Sequence, residues 1–150
     1  MNVKKRSRGR ELALQFLYQV DLRGTDVLDD LHGFLRDEEG DADTARFAEA
    51  LVRGTVGKQA EVDAMIQSVA QNWKLERMAA IDRNVLRLGA YEMLFVPDVP
   101  PKVSINEAIE LGKRYSTQNS GGFINGILDK IRERFWEPKF GAPSSGGATA

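Results

Sequence analysis

The chain has 150 residues, of which 42% are hydrophobic and 29% charged, and a formal net charge of -1. That is the size of one domain, with enough apolar residues to build a core unaided by disulfides or metal. With no cysteine and a single histidine, it lacks the residues for thiolate chemistry and for the common zinc sites.

The first ten residues carry Lys4, Lys5, Arg6, Arg8 and Arg10 and no acid. They run into a helix whose apolar stripe is Ala13, Phe16, Leu17 and Val20. The spacing puts Arg8, Glu11, Gln15 and Tyr18 on the opposite, wet stripe. Gly24 ends this helix, and Thr25 or Asp26 caps a second one carrying Val27, Leu28, Leu31, Phe34 and Leu35. Asp37 to Asp43 is acidic and reads as a loop. A third helix carries Phe47, Ala48, Leu51, Val52 and Val56. After Gly57, a fourth carries Val62, Met65, Ile66 and Val69 towards Trp73.

The fifth helix, from Met78 to Leu94, is apolar on more than one face, which predicts a central position. Pro97 ends it. Ser104-Ile105-Asn106-Glu107 has the spacing of a capping box at the start of a sixth helix. A polar turn, Ser116 to Gly122, precedes a last helix with Phe123, Ile124, Ile127, Leu128, Ile131 and Phe135. From Pro138 to Ala150 the composition reads as a flexible tail. The expected fold is therefore all-α, a single domain of about seven helices over residues 1–137.

The chemistry legible here is binding. A cationic start with a nearby exposed aromatic suits single-stranded nucleic acid: Lys and Arg contact phosphates and Tyr18 offers a stacking face. Lone His32 has no partner for catalysis or metal binding, so neither a catalytic residue, a metal nor a cofactor is expected. No phosphate-binding Gly-rich loop and no nucleophile elbow occurs. Ser120-Gly121-Gly122 could offer N–H groups to a phosphate, but alone reads as a turn with a serine cap. No apolar run is long enough to span a membrane, and the basic start lacks the apolar stretch of a signal peptide, so a cytoplasmic protein is expected.

Three segments in register resemble the NusB family of bacterial transcription antitermination factors. They are Arg8 to Asp21, Ile81 to Glu92, and Val99 to Lys113 leading to Gly122–Asp129. The resemblance implies two small helical bundles and no enzymatic activity. It implies binding of boxA RNA with NusE, a small-subunit ribosomal protein, and indirect contact with other Nus factors and RNA polymerase on ribosomal RNA operons. Carried over by position, the RNA surface is Lys4, Lys5, Arg6, Arg8, Arg10, Gln15, Tyr18, Asn119, Ser120 and Phe123. The NusE surface is Glu76, Arg77, Asp82 and Glu92.

Asn106, Glu107, Lys113 and Asn125 also match family positions, Glu107 through its cap and Asn125 by either a buried hydrogen bond or RNA contact. Asn119 stands where some relatives have an acid, and Gly121-Gly122 lacks a basic side chain that relatives place there. The alternatives are a homodimeric interaction module, a relative of the N-terminal domain of ribosomal RNA cytosine methyltransferases, and a helix-turn-helix DNA binder. The length of 150 residues leaves no room for a methyl-donor domain.

Overall fold

The computed structural model describes residues 1–141, and no strand occurs among them. α1 (Val3–Arg23) begins where the Asn2 side chain accepts from the Lys5 N–H. It stops at Gly24, whose φ of 94° suits a residue without a side chain. A 3-10 turn (Thr25–Asp30) leads to α2 (Leu31–Glu38). The Asp41 carboxylate caps α3 (Ala42–Gly57), accepting from the Thr44 N–H at 2.9 Å. α4 (Gln59–Val69), α5 (Ala80–Phe95), α6 (Pro101–Tyr115) and α7 (Ser120–Ile131) follow.

α1, α2 and α3 form one small bundle, and α4 to α7 form the other. α5 packs on α1, α3, α4, α6 and α7, which explains an apolar surface that runs round the helix: Val85, Leu86, Leu88, Ala90 and Met93 are all buried. The two bundles approach closely at Gly54 of α3, where a Cβ would overlap the Tyr91 phenol of α5. Polar pairs tie them as well. Arg83 donates to Asp21 at 2.7 and 2.9 Å, Asn84 donates to the same oxygen at 2.9 Å, and Arg87 lies 3.7 Å from Asp21; within the second bundle Arg87 also donates to Asp63 at 2.8 and 3.0 Å. Burial pushes the Asp21 carboxyl up, but the Arg83 and Asn84 hydrogen bonds and the Arg83 and Arg87 charges outweigh it, so its pKa lies below the usual carboxylate range.

Three segments differ from their sequence reading. α6 starts at Pro101, about one turn early, because proline at the first helical position presets φ and its missing N–H costs nothing there. Ser104 is thus inside the helix and buried, and Glu107 leaves the cap to accept from Ser7 of α1 at 2.8 Å. α5 starts at Ala80, not Met78, after a 3-10 turn (Leu75–Arg77). At the other end, α7 runs on through a π-helical stretch, Arg132–Trp136, into a last turn, α8 (Glu137–Phe140), so Pro138 lies in a helical turn. The rest of the expected tail, residues 142–150, lies outside the described residues.

Candidate nucleic-acid interface

The cationic leader is not a loose arm: from Val3 it is the first two turns of α1. Its side chains mostly face carboxylates. Lys5 Nζ lies 3.1 Å from Asp41 and 3.9 Å from Asp43. Arg6 donates to Asp98 at 2.8 Å and lies over the Phe47 ring. Arg8 meets Glu11 at 3.2 Å and Glu39 at 3.6 Å, and donates to the Glu38 carbonyl. Only Lys4 among the leader's cations has no acidic partner within 4 Å among the described residues, and it is exposed. The exposed Asp98 is held below the usual carboxylate range, first by the hydrogen bond from Arg6. Asp41 is lowered to about 2 by the Thr44 N–H, then by Lys5 and the Thr44 hydroxyl.

Arg10 and Glu92 must be reassigned. Their side chains are 3% and 2% exposed. The Arg10 Nε donates to both Glu92 oxygens, at 2.9 and 3.0 Å. Nη2 stands 2.7 Å from Glu92 in charge contact without hydrogen-bond geometry, and Nη1 lies 3.3 Å from Glu107. A buried guanidinium closed off by two carboxylates is out of reach of phosphate, and a buried Glu92 is out of reach of a partner protein. The pair links α1, α5 and α6 from inside. Of the other expected partner-facing residues, Glu76 and Arg77 are exposed on the 3-10 turn, and Asp82 is half-buried in the first turn of α5.

The wet stripe of α1 is half-buried rather than fully open. Gln15 and Tyr18 both sit at intermediate exposure, and no described residue hydrogen-bonds either side chain. Glu11, on the same stripe, takes ion pairs from Arg8 and from Arg114 near the end of α6. So the stripe borders the end of α6, which leads into the Ser116–Asn119 turn.

There Asn119 is exposed and Ser120 is buried, its Oγ 3.2 Å from the Thr117 hydroxyl, so the Ser120 side chain secures the turn. The stem of exposed Lys113 lies against Gly121, placing a cation beside the turn that its own glycines lack. Asn125 is exposed, which removes the buried hydrogen-bonding role. Phe123 is half-buried and meets Trp73 edge-on, ring centroids 5.8 Å apart. Trp73 is 59% exposed and was not among the expected site residues. Its signal was available: a tryptophan in the polar run Gln71-Asn72-Trp73-Lys74 has little core to join.

His32 is exposed, 3.2 Å from Glu49, away from these residues. No group of three or more metal-ligating side chains occurs among the described residues.

A protein-family model described as the NusB family matches residues 7–133. The chain belongs to the NusB family. A NusB relative from Desulfatibacillum aliphaticivorans, a transcription antitermination protein, is 50% identical over 127 residues, covering 85% of this chain and 89% of its own. The crystal form of T. maritima NusB in space group P3121 superposes with a TM-score of 0.79 at 39% identity, covering 86% of this chain and 91% of that one. A crystal structure of antitermination factors NusB and NusE in complex with dsRNA gives a TM-score of 0.80 at 27% identity, covering 89% of this chain and 100% of that one. The NusB match starts at Ser7, so Lys4, Lys5 and Arg6 lie before it, while Tyr18, Trp73 and the turn into α7 lie within it. No helix among the described residues is long and apolar enough to cross a membrane.

Proposed function

We propose that this chain is a transcription antitermination factor that binds boxA-type single-stranded RNA, with a NusE-like ribosomal protein, on ribosomal RNA operons. The assembled pair recruits further Nus factors to RNA polymerase. One observation carries this reading: the aromatic and amide face at the start of α7 (Asn119 and Phe123, four positions apart, with Trp73 edge-on to Phe123) in a chain of NusB fold. Rings stack on unpaired bases of any identity, and amides read base edges.

Recognition then divides by position. Lys4 meets phosphate directly. Lys5, Arg6 and Arg8 reach phosphate only by leaving their carboxylates, so each gains the difference between two ion pairs rather than a whole one. Affinity of the chain alone is accordingly modest, and the partner protein completes the RNA surface. Exposed Glu76 and Arg77 are the remaining candidates for that contact, with Asp82 beside them.

The test is binding of a boxA RNA against a scrambled RNA of equal length, with and without NusE. The expected result is preference for boxA that grows when NusE is present. Equal binding of the scrambled RNA in both conditions overturns the reading.

A further inference from the structure

A groove of about 550 Å³ lies between the C-terminal end of α7 with its π-helical extension and the end of α4. Gln71, Asn72, Lys130, Glu133 and Arg134 line it. Its cations differ from those of the leader. Neither Lys130 nor Arg134 has an acidic partner within 4 Å among the described residues, and both are exposed. Arg134 is held in place by donating to the Ser68 carbonyl at 3.1 Å, a bond that leaves its charge unneutralised. Glu133, the one acid in the lining, lies 3.7 Å from Arg132, a cation it shares with Asp129 and Glu137.

Each wall of the groove leads along the chain to one member of the aromatic pair. Asn72 is the residue before Trp73. Lys130 lies seven positions after Phe123, which is the same helical face about 10 Å further along. Free cations, two exposed amides and an aromatic pair about 10 Å away along α7 together suit a flexible anionic strand that also carries hydrogen-bonding edges.

We infer that the α4–α7 groove is a second RNA subsite, which takes nucleotides flanking the segment bound at Tyr18 and Phe123. Lys130 and Arg134 contact its phosphates, and Gln71 and Asn72 contact bases or 2′-hydroxyls. This rests on the RNA-binding reading above and extends it along the strand.

The test compares two RNAs on the full chain: a boxA segment alone, and the same segment with leader nucleotides on both sides. The expected result is tighter binding of the longer RNA. In a Lys130→Gln/Arg134→Gln double variant that gain disappears, and the salt slope on the longer RNA falls by about 1.4, two phosphates at roughly 0.7 each. The short RNA binds the variant as it binds the original chain. Equal affinity of the original chain for both RNAs overturns the groove and leaves the RNA reading standing. A variant that keeps the full gain and slope also overturns the groove. So does one that binds both RNAs normally yet loses the enhancement by NusE, since the groove then seats the partner protein. Binding of neither RNA overturns both readings.

Discussion

Separating Arg10 from Glu92 gives the sharpest test of how this fold is held together. Both side chains are almost completely buried, the Arg10 Nε–H is shared between both Glu92 oxygens with Nη2 in charge contact, and the residues lie 82 positions apart on helices of different bundles. Removing one partner of such a pair strands the other charge in a site that water does not reach, at a cost of about 3–5 kcal/mol. The two single variants are not equivalent. In Glu92→Leu, Arg10 keeps Glu107 at 3.3 Å, a residue a quarter exposed, so the loss falls at the lower end. In Arg10→Met, Glu92 has no other cation within 4 Å among the described residues, so the loss falls at the upper end. For a chain of this size the roughly 2 kcal/mol between those ends, at roughly 2–4 °C per kcal/mol, separates the two Tm values by about 4–8 °C.

The double variant Arg10→Met/Glu92→Leu removes both charges and recovers much of the loss. Urea unfolding followed by circular dichroism measures all four chains. Single variants within about 1 kcal/mol of the original refute the argument. A double variant no better than Arg10→Met also refutes it. RNA binding of the folded Arg10→Met chain should equal that of the original; a clear loss with folding intact restores Arg10 to the RNA surface.

Other outcomes follow from single contacts. Gly54→Ala pushes a methyl into the Tyr91 ring and should cost about 1–3 kcal/mol; Tyr91→Phe in the same chain recovers only part of this in urea unfolding, because ring carbons as well as the hydroxyl are struck. Asp41, lowered from 3.8 to about 2, contributes stability that is present above its ordinary pKa and lost as pH falls towards 2, so Asp41→Ala should flatten the acid limb of a stability–pH curve across that window. An unchanged acid limb would show that the cap and the Lys5 pair add nothing. Tyr18→Ala should weaken boxA binding by about 1–3 kcal/mol if a base stacks there, read by fluorescence anisotropy. Asp98→Asn with Glu39→Gln releases Arg6 and part of Arg8, and should tighten RNA binding and steepen its salt dependence; identical titrations would show these acids do not compete.

Helical period carried most of the fold. Ala13, Phe16, Leu17 and Val20 are buried as their spacing requires, and the all-round apolar character of the fifth helix correctly marks it as the one that both bundles share. Local signals failed where a distant group competed. Ser104 and Glu107 have the spacing of a cap, but Pro101 starts the helix sooner and Ser7 and Arg10 claim the carboxylate. The same holds for the site. Composition identified the cationic leader, yet nothing in the first ten residues reveals that Asp41, Asp98, Glu39 and Glu92 wait opposite them. For Trp73 the polar run Gln71-Asn72-Trp73-Lys74 marks an exposed ring, but its pairing with Phe123, fifty positions away, is a distant contact that no local spacing shows.

That pattern of pairing changes what the leader's charge means. Five cations counted in the sequence suggest a salt slope near 3.5, at roughly 0.7 for each phosphate on a single strand. Arg10 drops out by burial. Lys5, Arg6 and Arg8 each exchange one anion for another, and a carboxylate left behind gathers cations from solution, offsetting part of the release that drives binding. Lys4 alone counts in full. Under the proposed function, a chain with a net charge of -1 therefore relies less on long-range attraction than on groups already set in place: the Trp73 and Phe123 rings and the cations that have no internal acid to satisfy. On that reading the acids facing the leader would disfavour a polyanion that offers phosphates but no bases to stack, because such a ligand recovers too little to displace them.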